Sequence, residues 1–426
     1  MDNASASAAD DFARGPVSTG VTSTGWHLAL IIIGGTIGFS VFIVSAQIGG
    51  SLGYVDAGLA FVAGSLVLGI LGATTSYVGA KTRLSTYMLS EFAFGRDGAK
   101  FTNLAVGLSL IGWYGVISNF LGQASQQILL DTFGWNISIY VTVSGASILM
   151  ILVTVKGFTG IDRLAAILVP VMIAFILYAA YASTAEQGVE VVAGPTEAFT
   201  FSTAVSAVVG SYIAGVIIQP DYSRFAVNTK HAVWSVFIAL AVMFPAIQFF
   251  SAVPSMAMGE PDLLAVLVSL GLIIPAFLLL FFGSWSSNVL CLYSSGLSFA
   301  TMLSKIGLDK IIVAVGIAGT AIAFVPAQDY LVNFLVLLGV TIPPIGAIYI
   351  IEAAYVRRFV VNVKDLKTGL KFNLSALFSW MLAIVAGYLS QTGMWGLTDI
   401  ASIDSLIVSA LVFWGLKYGQ TRNQSV

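Results

Sequence analysis

The sequence predicts an all-α polytopic membrane protein with twelve transmembrane helices, and three observations carry that reading. The 426 residues are 58% hydrophobic and only 9% charged, whereas soluble domains carry about 25% charged residues. Apolar runs near the length of about 20 residues that a membrane helix needs recur twelve times along the chain. The basic residues, finally, fall on one side of the membrane once those runs are threaded through it.

Met1 to about Gly25 is rich in Ser, Ala, Thr and Gly and carries Asp10 and Asp11. It lacks the short basic region and cleavage site of a signal peptide, so residues 1–25 are expected to be a disordered cytoplasmic tail. The expected spans are 26–48, 57–80, 102–128, 136–155, 163–182, 201–219, 232–253, 272–300, 311–325, 331–355, 374–391 and 403–418, followed by a polar tail at 419–426. A short helix outside the membrane is expected at 261–270. With the N-terminus inside, all 18 Lys and Arg residues lie in inner loops and tails. The outer loops hold acids, among them Asp131, Glu186, Glu190, Glu197, Glu260 and Asp329. One helix more or fewer would scramble this pattern, so both termini are expected in the cytoplasm of a bacterial cell, with the spans in its inner membrane.

The first span is interrupted at Ile33-Gly-Gly-Thr-Ile-Gly-Phe-Ser40 and the sixth at Val209-Gly-Ser-Tyr-Ile-Ala-Gly215. Glycine is a poor helix former, so both are expected unwound points. Paired interruptions in two halves are the sequence mark of an inverted-repeat transporter. Trp113 and Trp285 lie 172 residues apart, Gly38 and Ala214 176, and Pro170 and Pro344 174. The expected units are therefore 26–182 and 201–355 as five-helix repeats, with 374–418 appended.

The eighth span carries Gly283-Ser-Trp-Ser-Ser-Asn288, four polar groups that would be costly against lipid. At helical spacing Gly283 and Ser287 share one face, and Ser284 and Asn288 the next. These residues suit either a small polar cavity or bonds between packed helices. No carboxylate sits in mid-span. Asp221 and Glu352 lie near inner helix ends, beside Arg224 and Arg357/Arg358, and are expected to form local ion pairs or hydrogen bonds. His27 and His231 are interfacial, and Cys291, the single cysteine, is read as a packing residue. The chain has no HExxH, P-loop or GxSxG, so nothing points to an enzyme or a protein cofactor, and no basic run points to nucleic acid. Trp113, Tyr212, Trp285 and Asn288 together would suit a planar, uncharged, hydrogen-bonding solute. Carbonyls freed near Gly38 and the hydroxyls of Ser286 and Ser287 would make an all-oxygen site for a hard cation such as sodium. A channel is the rival class, though no repeated filter sequence is present.

The chain resembles the nucleobase–cation symporter-1 family over roughly 25–415. The motifs are Tyr77-Val-Gly-Ala-Lys-Thr82, Phe92-Ala-Phe-Gly95, Gly112-Trp-Tyr-Gly-Val116, Val208-Val-Gly-Ser-Tyr212, Asp221-Tyr-Ser-Arg-Phe225, Leu292-Tyr-Ser-Ser-Gly-Leu297 and Ile342-Pro-Pro-Ile-Gly346. The resemblance implies the leucine-transporter fold, a 5+5 inverted repeat plus two helices, working by alternating access without an obligate protein partner. It implies a sodium ion as coupling ion, held by the carbonyls of Gly38 and Phe42 and the hydroxyls of Ser286 and Ser287. It implies a nucleobase, cytosine or a related pyrimidine or purine, stacked by Trp113 and Tyr212 and bonded by Ser211 and Asn288, with Ala214 beside it. Leu110 stands where the resemblance would place a Gln, Ala214 where it would place a Ser, and Gly283 where it would place an Asn near the ion. A hydantoin-like ring or hydroxymethylpyrimidine, carried with protons or uncoupled, is the alternative these positions leave open.

Overall fold

The computed structural model describes residues 15–17, 22–155, 161–187, 199–259, 263–303, 305–327 and 330–424. Most of the expected N-terminal tail, the loop residues Lys156, Glu190, Glu197, Glu260 and Asp329, and the last two residues lie outside them. Among the described residues the chain is helical, with one isolated β-bridge between Ser23 and Ala226.

The first half comprises α1 (Gly25–Thr36), α2 (Phe39–Thr82), α3 (Thr86–Phe94), α4 (Ala99–Phe133), α5 (Ile139–Val155) and α6 (Ile161–Gln187). The second comprises α7 (Phe201–Ile217), α8 (Gln219–Ser223), α9 (Thr229–Phe237), α10 (Phe244–Met258), α11 (Leu263–Ser269), α12 (Ile273–Met302), α13 (Leu308–Ile322), α14 (Leu331–Thr341) and α15 (Pro343–Ile351). A short α16 (Lys364–Thr368) leads to α17 (Leu374–Gln391) and α18 (Ala401–Gln424). Every expected apolar run falls on helix. Seven helices among the described residues are long and apolar enough to cross a membrane by length and composition.

Three differences from the sequence expectation have local causes. The expected loop at 49–56 is a kink: Gly53 adopts φ 73°, ψ 179°, and helix resumes on either side, a conformation that favours glycine. The polar tail expected at 419–426 continues α18 to Gln424. The interruption of the sixth span lies at Ile218, not at Gly210–Gly215, through which α7 runs unbroken. Gly210 instead admits the neighbouring helix, since a Cβ there would overlap the backbone of Leu335.

The two main breaks follow from residue chemistry. α1 ends when Ile37 leaves helical geometry (φ −88°, ψ 81°), and Gly38 starts α2 from an extended conformation. At the second break Pro220 supplies no N–H to the Val216 carbonyl four residues earlier. Thr75 Oγ1 on α2 reaches that carbonyl instead, at 2.9 Å, sharing its proton with Gly72 O on its own helix, also at 2.9 Å. The next carbonyl, Ile217, accepts from Tyr349 Oη at 2.9 Å and Thr86 Oγ1 at 3.3 Å. Glu352 is buried and ion-paired to Arg357 at 3.0 Å, with Lys417 at 4.0 Å, which ties α18 to the end of the tenth span.

Thr75→Val keeps the shape of this fully buried side chain and removes the donor to Val216. The Val216 carbonyl keeps a contact with the Ile218 N–H, so the loss is that of one hydrogen bond, about 0.5–1.5 kcal/mol. A lower thermal midpoint of the purified variant is the expected outcome, with wild-type stability contradicting it.

Candidate substrate and cation site

The two breaks face one another across a cavity of about 600 Å³, counting the solvent space at its mouth. One wall is the α1–α2 break at Gly35, Gly38 and Val41. Leu110, Trp113 and Ile117 on α4 form the second. Ser211, Tyr212, Ala214 and Gly215 on α7, with Ile218 and Tyr222 below, form the third, and Ser287, Leu290 and Cys291 on α12 close the fourth. Among the described residues, no Asp, Glu, Lys, Arg or His side chain lines it.

The aromatic positions are set by their neighbours. Trp113 packs edge-on to Phe334, with centroids 5.5 Å apart, and Tyr212 is tilted against Phe244 at 5.9 Å. Gly35 leaves room between them and the break, since a Cβ there would lie 3.0 Å from Leu290 Cδ1 and 3.4 Å from the Tyr212 hydroxyl. The Gly35 carbonyl has its helical partner beyond the break, and Ser287 Oγ donates to it at 3.1 Å. Gly38's carbonyl accepts from Val41 N at 3.0 Å and Phe42 N at 3.3 Å, which starts α2. Ser211 Oγ donates to Val208 O at 2.7 Å, leaving its own lone pairs free to accept.

Gly283 lies directly under the first break: a Cβ there would overlap the Ile37 carbonyl. Its role is close approach of α12 to unwound backbone, which any side chain would prevent.

Of the residues singled out in the sequence, Trp113, Ser211, Tyr212, Ala214, Gly38 and Ser287 come together around the cavity. Four others lie outside its lining. Asn288 is fully buried behind it, with Nδ2 donating to Ser118 Oγ on α4 at 3.0 Å and Oδ1 without a protein partner. Phe42 turns its ring towards α6 and α10, beside Phe175 and Pro254. Ser286 is half-buried, and Trp285 packs edge-on to Phe281 at 5.5 Å. Cys291, read from the sequence as packing, is part of the lining, as are Val41, Ile117 and Leu290. Apolar residues in a chain of this composition give no signal by which those three could have been found.

From Tyr222 in the lining to Arg224, hydrogen bonds tie α8 to its neighbours. Tyr222 Oη pairs with Ser294 Oγ at 2.8 Å, and Tyr87 Oη donates to Ser294 O at 2.6 Å. Asp221 Oδ1 accepts from the Thr86 N–H at 2.8 Å, at the start of α3, and Arg224 Nε donates to Asp221 O at 3.2 Å. The expectation of local bonds at a helix end describes this aspartate.

The profile of a family described as permeases for cytosine/purines, uracil, thiamine and allantoin matches residues 19–410. Cytosine permease of Escherichia coli (strain K12) is 29% identical over 383 residues, 89% of either chain. Among solved structures, Mhp1, a nucleobase–cation-symport-1 family transporter, in a closed conformation with bromovinylhydantoin bound, matches with a TM-score of 0.83 at 19% identity, covering 94% of this chain and 93% of that one. A Na+-coupled sialic acid symporter matches with a TM-score of 0.67 at 16% identity, covering 95% and 90%. These likenesses bear out the expected leucine-transporter fold.

Gly283→Ala puts a methyl group into backbone that cannot step aside. Overpacking of this kind costs about 1–3 kcal/mol. The expected result is a lowered thermal midpoint, whereas Gly145→Ala, inside a helix where nothing lies within 4 Å, should not lower it. Equal midpoints for the two variants would contradict the close approach.

Proposed function

The chain belongs to the family of permeases for cytosine/purines, uracil, thiamine and allantoin, and from that premise we propose that it is a sodium-coupled secondary transporter importing a neutral, planar nucleobase by alternating access. It is a transporter, not an enzyme. The observation that carries the substrate class is the cavity at the two helix breaks, which presents aromatic rings and hydroxyls and no charged side chain. A charged ring would leave water there without a counter-charge, at a high cost, whereas a small hard cation can be held by grouped oxygens alone. A flat heterocycle would stack on Trp113 and Tyr212 and bond at its edge to Ser211 and to groups at the breaks.

The two halves, 26–182 and 201–355, act as inverted repeats that rock around the central site. Residues 374–418 brace them; the membrane is a bacterial inner membrane in this reading, and the positive-inside pattern supports both termini on its cytoplasmic side. Sodium is carried with the ring, at oxygens near the first break, with Gly38 and Ser287 nearest the cavity and Phe42 and Ser286 completing the set. The Na+-coupled symporter of like fold supports that coupling. Asn288 acts through Ser118, holding α12 on α4 where the ring sits. A specific observation favours a second reading of the cargo. Leu110 and Ala214 both line the cavity, so those positions offer methyl groups where an amide and a hydroxyl would suit cytosine. A related heterocycle with an apolar edge would fit them better.

Proteoliposomes loaded without sodium and diluted into sodium are expected to accumulate labelled cytosine or a related ring. Ser287→Ala should raise the sodium concentration needed without changing the order of preference among rings. Uptake abolished by a protonophore and indifferent to sodium would contradict the coupling.

A further inference from the structure

A second hollow lies away from the cavity, between α1, α6 and α9 with the π-helical turn that follows it. Counting its open side it measures about 1,520 Å³. Its floor is apolar, made by Leu30 and Ile33, by Ile173 and Leu177, and by Ile238 and Met243. One end differs from the rest. There Lys230 and two tryptophans, Trp26 at 70% exposure and Trp234 at 59%, stand around the mouth. Tryptophans collect where membrane meets water. We propose that this groove binds an anionic phospholipid, with the phosphate at Lys230 and one acyl chain along the helices.

Three features fit that occupant. The wall from Lys230 to Met243 runs 13 residue steps, about 20 Å at helical rise, enough to cross one leaflet's share of a hydrocarbon core about 30 Å thick. Among the described residues no acid lines the groove and Lys230 is in none of the ion pairs, which suits its charge to a phosphate. His231 is occupied, since the Gly25 N–H donates to its Nδ1 at 3.2 Å. Lys230 is therefore the cation that selects the headgroup. The lipid would lie against α1 just before the break at Ile37 and so brace the wall of the transport site.

The test is native mass spectrometry of the delipidated full chain titrated with phosphatidylglycerol, phosphatidylcholine or diacylglycerol. Wild type is expected to retain phosphatidylglycerol about fivefold better than the other two, the worth of one basic group near an anionic surface. Lys230→Glu, at an exposed position, should erase that preference. Ala174→Trp fills the groove and should abolish retention, while Val171→Trp, exposed on the same helix outside it, should not. Equal retention of all three lipids by wild type would overturn the proposal. So would an unchanged preference in Lys230→Glu, or retention by Ala174→Trp equal to that of Val171→Trp.

Discussion

A peptide carbonyl that loses its helical partner at membrane depth must find another donor, and this constraint shapes the centre of the molecule. Water is excluded from the hydrocarbon, so each orphaned group costs several kcal/mol. Two helices are broken here nonetheless, one by the turn at Ile37 and Gly38, the other where Pro220 withholds its N–H. Hydroxyls from neighbouring helices repair both. Ser287 serves Gly35, Thr75 serves Val216, and Tyr349 with Thr86 serves Ile217. The polar residues at these depths are there because the backbone demands them, and the cavity is the space that the arrangement leaves.

The same repair links fold to transport. A backbone-to-backbone helical bond is fixed by the helix that makes it, whereas a hydroxyl on one helix bonded to a carbonyl on another ties two bodies that can separate. Ser287 joins α12 to α1, and Thr75 joins α2 to α7. Below them, Tyr222 on α8 meets Ser294 on α12, and Asp221 holds the start of α3. Alternating access, in the proposed function, exchanges these contacts between helices and leaves each helix intact. A cavity without charged side chains suits that cycle, because no strong ion pair holds one conformation.

Much of this was legible in the sequence, for physical reasons. A membrane span must be apolar and about 20 residues long, so the runs stood out, and 374–391 coincides with α17. Trp113, Tyr212 and the glycines of the first break were visible because they are unusual in hydrocarbon. Glycine is a poor marker of the second break, because in a packed bundle it as often marks close approach, as at Gly210 and Gly283. Pro220 was the better marker, since it removes a donor outright. Asn288 shows the limit of helical-wheel reasoning: it shares a face with Ser284, yet that face meets Ser118 on α4 and not the cavity. Which of many aliphatic residues line the site depends on helix rotation, and one sequence does not encode that visibly.

The central claim is that a nucleobase occupies the cavity between the breaks, and the chain carries its own reporter. Cys291 is its single cysteine, half-buried in the cavity wall beside Leu290. The direct measurement is the rate at which a small maleimide modifies Cys291 in membranes, with and without cytosine and a panel of related rings. The account expects the transported ring to slow modification several-fold, and more strongly when sodium is present. Modification at one rate whatever ring is added, while the same membranes transport that ring, would place the substrate elsewhere.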